Sequence, residues 1–153
     1  MIEPQWIRLD VALAIHAAQL AEHGGLDGLR DRSGLESVIA SPRNLFAYGS
    51  PTPDIAAMAA QYAFAIACNQ VFLDGNKRTA LVVYRTFLLL NGHNLDASND
   101  EKYKTIMKLA AGQIDIDQMA AWIRAHVVNA TQSGSIGITH RALTSRRRPE
   151  SAE

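Results

Sequence analysis

The sequence has a single cysteine, Cys68, and no excess of charge of either sign. One thiol cannot form an internal disulfide, so the fold must rest on its hydrophobic core, and a reducing compartment is the expected setting. Fifteen basic residues balance fifteen acidic ones, which leaves no overall positive field for nucleic acid or an anionic membrane. Nucleic acid is therefore not an expected partner, and any anion site must be local.

Long apolar runs are also missing. The longest, around Phe87 to Leu90, falls far short of the roughly 20 residues that cross a bilayer. The first residues, Met1 to Trp6, lack the charged and apolar regions of a signal peptide. These absences argue against a membrane partner and predict a cytoplasmic protein.

Apolar residues recur at helical spacing, with cap and stop signals between the segments. The pattern predicts an all-α fold, a compact bundle of about six helices. The predicted helices cover about Asp10–Glu22, Leu35–Ala40, Ile55–Cys68 and Asn76–Asn91, and two more open at capping boxes that begin with Ser98 and Asp115 and run to about Ala111 and Asn129. The third is apolar almost all round, so we expect it at the centre.

The predicted helix boundaries rest on particular residues. Ser33 is a candidate cap for the second helix and Pro42 its end, while Thr52 is a candidate cap for the third helix with Pro53 at its first position. The polar, glycine-bearing segment Leu26–Arg32 is predicted as a loop or short hairpin. No longer segment has the alternation of a strand.

Composition changes after Asn129, where Ser, Thr, Gly and Arg become frequent. This change predicts one domain over residues 1–129 and a flexible polar tail over residues 130–153. Arg146, Arg147 and Arg148 leave open a second interpretation, an arm that binds a partner or touches nucleic acid.

The segment from Gln70 to Arg78 lies between two apolar helices and carries the candidate chemistry. Lys77 and Arg78 fall in the first turn of the fourth predicted helix, where the partial positive charge of the helix start opposes each cation by a few tenths to about 1 kcal/mol. The placement becomes favourable if a polyanion binds there, because backbone N–H groups and both cations can converge on phosphate oxygens.

Three neighbours bear on this phosphate site. Gly75 would let the backbone approach a ligand closely. Asp74 would repel phosphate unless it holds Mg²⁺, which takes one or two protein carboxylates together with phosphate oxygens. The residues leave open an ordinary helix start, with Asp74 as the cap and the cations in solvent. Phe72 is expected to anchor the segment to the core.

The run Gln70-x-Phe72-x-Asp74-Gly75-Asn76-Lys77-Arg78-Thr79 resembles the signature of the Fic/Doc family, in which a histidine, a phenylalanine, an acidic residue and an Asn-Lys-Arg or Asn-Gly-Arg end recur at these spacings. Lys77 is similar to the death-on-curing (Doc) branch of toxins rather than to the AMP-transferring Fic branch, which has glycine there. The resemblance covers about residues 5 to 128.

The resemblance implies a Fic-type helical bundle that uses ATP and Mg²⁺. It implies that Asp74 holds Mg²⁺, that Gly75, Asn76, Lys77 and Arg78 bind nucleotide phosphates, and that Leu26–Arg32 is a flap positioning a target segment. The implied activity is that of a toxin of a type II toxin-antitoxin system, a protein kinase that transfers the ATP γ-phosphate to a hydroxyl. A Tu-like translation elongation factor is the implied target, and an antitoxin protein the implied partner.

Gln70 stands where the family has its catalytic histidine. A neutral imidazole accepts a proton near pH 7, whereas a glutamine amide has no basic nitrogen and only hydrogen-bonds. Loss of a general base typically removes about 10²–10⁴ of the rate, so we expect the chain to bind nucleotide but to transfer phosphate poorly or not at all. One altered position in a toxin or a natural degenerate copy would both give this sequence, and the intact neighbours favour the former.

Two other functions compete with the kinase. An AMP-transferring enzyme would use the same fold, but Lys77 replaces the glycine of that branch. A catalytically dead nucleotide-binding or interaction module is supported by Gln70.

The antitoxin also has a candidate docking place in the sequence. Leu45, Phe46 and Tyr48 follow the second predicted helix, where a loop would usually be polar. Exposed, they would form a groove for an amphipathic helix; buried, they would only close the core against the third helix.

Overall fold

A computed structural model describes residues 2–130. Its helices are α1 (Leu9–His23), α2 (Arg32–Tyr48), α3 (Ile55–Asn69), α4 (Asn76–Leu90), α5 (Asn99–Ala110) and α6 (Ile116–His126), and its strands are β1 (His93–Leu95) and β2 (Val127–Asn129). The predicted all-α bundle of about six helices is confirmed. Of the predicted tail, only Ala130 is within the described residues.

Helix α3 is the centre of the bundle and packs against α2, α4, α5 and α6. Its alanines let the neighbouring helices approach closely, while Tyr62, Ile66 and Met58 fill the space between them without exposure to solvent. The Tyr62 hydroxyl accepts a hydrogen bond from the backbone of Ile7 at 2.9 Å, which ties the segment before α1 to the core. Burial raises the pKa of Tyr62 to about 12.

Helix α2 is much longer than predicted. It begins after Asp31, whose side chain accepts from Gly34 N at 2.9 Å, so Ser33 is not its cap. It then continues through Pro42, where the sequence predicted its end. Proline removes the N–H that would bond to the Val38 carbonyl, and the Ser41 hydroxyl donates to that oxygen instead, at 2.7 Å.

The extension of α2 places the candidate antitoxin-docking residues in a helix rather than in a loop. Leu45, Phe46 and Tyr48 lie in the last turns of the helix. Phe46 is half-buried and its ring meets that of Trp6 edge-on, with the ring centroids 5.7 Å apart. Only Tyr48 is largely exposed. The expectation that these residues follow α2 in a loop was therefore wrong, and within the helix two of the three are half-buried.

Helix α3 is capped by Asp54 rather than by Thr52. The Asp54 carboxylate accepts from Ala57 N at 2.9 Å, and the Arg124 guanidinium donates to both its oxygens, at 2.7 and 3.0 Å. The Arg124 hydrogen bond holds the pKa of Asp54 below its usual value. A carboxylate competes better than a hydroxyl here because it serves the helix start and a cation from α6 together.

Strands β1 and β2 form an antiparallel pair that the sequence did not predict, with Asn94 opposite Val128. Helix α6 was predicted to reach about Asn129, but it ends at His126. The pair continues one step further, where Ala130 N donates to Gly92 O at 2.9 Å. Three-residue strands are too short to show a period of two in the sequence.

The predicted capping boxes of α5 and α6 are confirmed. Ser98 and Glu101 exchange side-chain and backbone hydrogen bonds at 2.8 and 3.1 Å, and Asp115 and Gln118 do so at 2.8 Å each. No helix within residues 2–130 is both long enough and apolar enough to cross a lipid bilayer.

Candidate active site

The segment that joins α3 to α4, residues 70–75, is here called the signature loop, and it pairs with the segment that joins α1 to α2. Leu73 N donates to Gly28 O at 3.0 Å, and Arg30 N donates to Val71 O at 2.7 Å. These bonds make an antiparallel bridge between Leu29 and Phe72. The predicted flap is therefore a loop held against the signature loop by main-chain bonds.

The flap begins with a close approach between Gly25 and Asp74. Gly25 has φ +124°, and a Cβ built on it would lie 2.8 Å from Asp74 Oδ2, so only glycine fits there. Asp74 Oδ2 accepts from Leu26 N at 3.2 Å, and its Oδ1 accepts from Gly75 N at 2.9 Å. The carboxylate is thus oriented by backbone N–H groups on both oxygens, while its exposed surface remains open to a ligand.

Helix α4 starts without a side-chain cap. Its N-cap is Gly75, with φ +79°, and no acidic residue lies in its first turn. Lys77 and Arg78 occupy that turn, and neither forms an ion pair with any residue among 2–130. The Arg78 guanidinium lies over the ring of Tyr103 from α5, 4.8 Å from its centroid, which holds the cation in place without neutralising it.

Asn76 braces the signature loop from inside. Its Oδ1 accepts from Phe72 N at 3.1 Å, and its Nδ2 donates to Phe72 O at 3.0 Å. Phe72 is fully buried, which agrees with its expected role as an anchor. The Asn76 side chain is thus engaged with the backbone, so its contribution to an anion would come through its main-chain N–H at the start of α4.

One cavity of about 710 Å³ brings all the candidate site residues together. The six candidates that line it are Gln70, Asp74, Gly75, Asn76, Lys77 and Arg78. The end of α1 contributes Leu20 and His23 on one side, and α5 contributes Tyr103 and Met107 on the other. The cavity therefore combines one carboxylate, two cations, free helix N–H groups and an apolar side.

Gln70 ends α3 in the left-handed conformation, with φ 50° and ψ 49°. No other non-glycine residue among 2–130 has a positive φ. For a residue with a Cβ this conformation costs on the order of 1–2 kcal/mol. The turn directs the chain into the signature loop and leaves Gln70 exposed on the cavity.

Helix α1 also lines the cavity, which no motif in the sequence indicated. His16, Leu20 and His23 follow one another at intervals of four and three residues, so they share a helix face, and this face meets the signature loop. This spacing in the sequence was the one feature that could have indicated that α1 contributes to the site. Two further histidines, His93 in β1 and His126 at the end of α6, do not line the cavity.

Comparisons with known proteins identify the family of this chain. The model of the Fic/DOC family matches residues 6–88, more than half of the chain. "Protein kinase doc" of Escherichia phage P1 is 33% identical over 112 residues, which cover 73% of this chain and 87% of that protein. "Toxin Doc" of Mycolicibacterium smegmatis is 33% identical over 113 residues, which cover 72% of this chain and 86% of that protein. The chain therefore belongs to the Fic/DOC family.

Proposed function

We propose that this chain is a Doc-type toxin scaffold that binds ATP with Mg²⁺ and whose phosphate transfer to a protein hydroxyl is weakened by Gln70. The observation that carries the proposal is the convergence of Asp74, Lys77 and Arg78 on one cavity at an uncapped helix start. Similarity to a protein named as a kinase supports the choice of reaction.

Phosphates suit the start of α4 because, among residues 2–130, no carboxylate pairs with its cations and no side chain caps its N–H groups. The amides of the first turn have no side-chain cap, and two cations oppose the helix dipole there. A bound polyphosphate would satisfy the uncapped amides and offset the unfavourable charge of the two cations, since each oxygen can accept from backbone N–H groups and from Arg78 or Lys77. Tyr103 would keep Arg78 over the cavity while the nucleotide enters.

Asp74 is the proposed holder of Mg²⁺. Among residues 2–130, no three His, Cys, Asp or Glu side chains are grouped closely enough to bind a metal by themselves. A single carboxylate fits Mg²⁺, which takes one or two protein carboxylates and completes its shell with water and phosphate oxygens. The ion's charge would offset that of the phosphates.

Gln70 sets the limit on activity. A hydroxyl nucleophile must lose its proton as it attacks phosphorus, and an amide cannot accept that proton. Gln70 faces the cavity, so its amide would still hydrogen-bond the nucleotide or the hydroxyl and help to orient it. The chain would thus bind its substrates and transfer phosphate slowly or not at all.

The experiment follows label from ATP in the presence of Mg²⁺. A Tu-like translation elongation factor is the proposed target, and the chain is tested as it stands and as Gln70→His. Transfer of γ-label by Gln70→His, at about 10²–10⁴ times the rate of the unmodified chain, is the expected result. Asp74→Asn added to Gln70→His is the control and should abolish the transfer.

Two results would replace the proposal with its alternatives. Transfer of α-label would make the protein an AMP-transferring enzyme. No transfer of either label by a folded, ATP-binding Gln70→His variant would favour the catalytically dead nucleotide-binding module that Gln70 suggests.

The proposed partners follow the same similarity. A relative named as a toxin supports a cognate antitoxin protein and a cytoplasmic site of action, where translation occurs. Co-expression of Gln70→His with and without the neighbouring antitoxin gene tests this. Growth should stop without the antitoxin and continue with it, and arrest in both cultures would contradict the partnership.

A further inference from the structure

His16 makes two contacts with the signature loop that its place on α1 alone does not explain. It is 5% exposed, and its ring is stacked on Phe72 with centroids 3.7 Å apart and an angle of 7° between the planes. Its Nε2 lies 2.9 Å from the main-chain oxygen of Asp74. Because a carbonyl oxygen only accepts, Nε2 carries the proton and donates it to this bond.

The bond fixes one particular peptide plane, the one between Asp74 and Gly75. Its oxygen accepts from His16, and its N–H, on Gly75, donates to Asp74 Oδ1. His16 holds one end of the plane, and the N–H at the other end ties the Asp74 carboxylate to it, so a rotation of the peptide would turn the carboxylate as well. Gly75 also starts α4, so the same plane sets the direction of the helix amides that face the cavity.

We propose that His16 is a positioning residue, which aims the Asp74 carboxylate at the metal site by holding the Asp74 carbonyl. The inference rests on the proposed role of Asp74 in binding Mg²⁺. His16 does not line the cavity, so it acts through Asp74 and not on a ligand. A residue that only filled the core would need the ring but not the donor.

Two substitutions separate the ring from the donor. His16→Phe keeps an aromatic ring against Phe72 and removes the hydrogen bond. His16→Gln loses the ring but places an amide N–H at the reach of Nε2. A matched control is His126→Phe, because His126 also stacks on an aromatic ring, that of Trp122 at 4.4 Å, and also contacts a backbone carbonyl, at 2.7 Å, away from the cavity.

The first measurement is ATP affinity with and without Mg²⁺, by calorimetry on the full chain. His16→Phe should weaken binding in the presence of Mg²⁺ by about 3- to 10-fold, the range for one hydrogen bond, and change binding without Mg²⁺ much less. His16→Gln should restore most of the Mg²⁺-dependent affinity even if its melting temperature is the lower of the two. His126→Phe should leave both affinities unchanged.

The second measurement does not depend on nucleotide binding. The Gly75 amide donates to Asp74 Oδ1, so its hydrogen-exchange rate and NMR shift report the orientation of the peptide plane. Its exchange should quicken in His16→Phe and return towards the original rate in His16→Gln. This result would hold even if the unmodified chain failed to bind ATP, a failure that would refute the proposed function alone.

Two results would overturn the positioning role. In one, His16→Phe keeps both its Mg²⁺-dependent affinity and its Gly75 exchange rate, which would show that the ring suffices. In the other, His16→Gln is as impaired as His16→Phe in both measurements, which would show that His16 matters through packing.

Discussion

Helix starts in this protein are of two kinds. Helices α2, α3, α5 and α6 each begin with a side chain that accepts from a backbone N–H of the first turn, and the four caps are Asp31, Asp54, Ser98 and Asp115. Helix α4 has a glycine at the cap position and two cations in its first turn. The first kind uses the helix start for stability, whereas the second leaves the N–H groups and positive charge available to an anion.

The contrast is informative because four of the other five described helices have a side-chain cap. Helix α1 also lacks a side-chain cap, but Asp10 in its first turn complements the dipole. Among the described helices, only α4 combines an uncapped start with basic residues in its first turn and no acidic residue there. That combination is a local cost to stability, and it coincides with the cavity that holds Asp74.

Loss of one cation from the first turn of α4 should weaken nucleotide binding. Arg78→Ala should weaken ATP binding by about 10- to 100-fold, because a charge-assisted hydrogen bond contributes about 1.5–3 kcal/mol. Calorimetry with ATP and Mg²⁺ measures it. Ser98→Ala at the start of α5 is the comparison and should leave affinity unchanged, and equal losses in both variants would erase the distinction between the two kinds of helix start.

Removal of a cap should instead lower stability. Ser98→Ala breaks the capping box of α5 and should cost about 1 kcal/mol of unfolding free energy, measured by urea denaturation. Arg78→Ala should not lower stability through the helix dipole, since it removes a cation from the wrong end. A destabilisation by Arg78→Ala as large as that of Ser98→Ala would mean that its contact with Tyr103 is mainly structural.

Charge reversal at Lys77 should have opposite effects on binding and stability. Lys77→Glu should abolish measurable ATP binding and raise the unfolding free energy of the ligand-free chain by about 0.5 kcal/mol, because it complements the dipole. Lys108→Glu is the control: Lys108 lies in the last turn of α5, where a cation is favourable, so its reversal should lower stability and spare binding. A Lys77→Glu chain less stable than the unmodified one would contradict the view that the cations at the start of α4 oppose the helix dipole.

The smallest effect concerns pH at the start of α3. Arg124 lowers the pKa of Asp54 in the folded chain, so the pair stabilises the fold above the unfolded pKa of about 3.9, and this contribution disappears as pH falls through the folded value. Asp54→Asn keeps the cap but loses the charge. At pH 7 it should cost about 0.5 kcal/mol, because both side chains are half exposed and screened by solvent.

The check is denaturation at two pH values. The difference between Asp54→Asn and the unmodified chain should vanish near pH 2. Asp96→Asn is a suitable control, because Asp96 is exposed and has no ion pair within residues 2–130. A cost for Asp54→Asn that persists at pH 2 would assign it to the amide cap instead.

The sequence predicted the helices whose signals are local. The capping boxes at Ser98 and Asp115 and the apolar length of α3 gave elements that the structure confirms. It failed at Pro42, because sequence rules treat proline as a helix end, whereas here the helix continues and the Ser41 hydroxyl donates to the Val38 oxygen that proline leaves without its usual donor. It also missed β1 and β2, which are three residues each and depend on partners that lie far apart in the chain.

The candidate site was predictable as a set of residues but not as a geometry. Gln70 to Arg78 are contiguous, so one segment carried the signal, and the six candidate residues within it line one cavity. The role of His16 needed the structure, because Asp74 lies 58 positions away and is contacted through its main chain. Asn76 shows the same limit: the sequence suggested a phosphate ligand, whereas its side chain braces Phe72.

The bond between Ala130 and Gly92 has a practical consequence for handling the protein. Gly92 follows the carboxyl end of α4, and the cavity lies at the amino end of the same helix. Fifteen residues at 1.5 Å each separate the two ends by about 22 Å. A sensor surface or dye attached just after Ala130 would therefore be joined to the molecule at the far end of this rod, leaving the cavity free for titration.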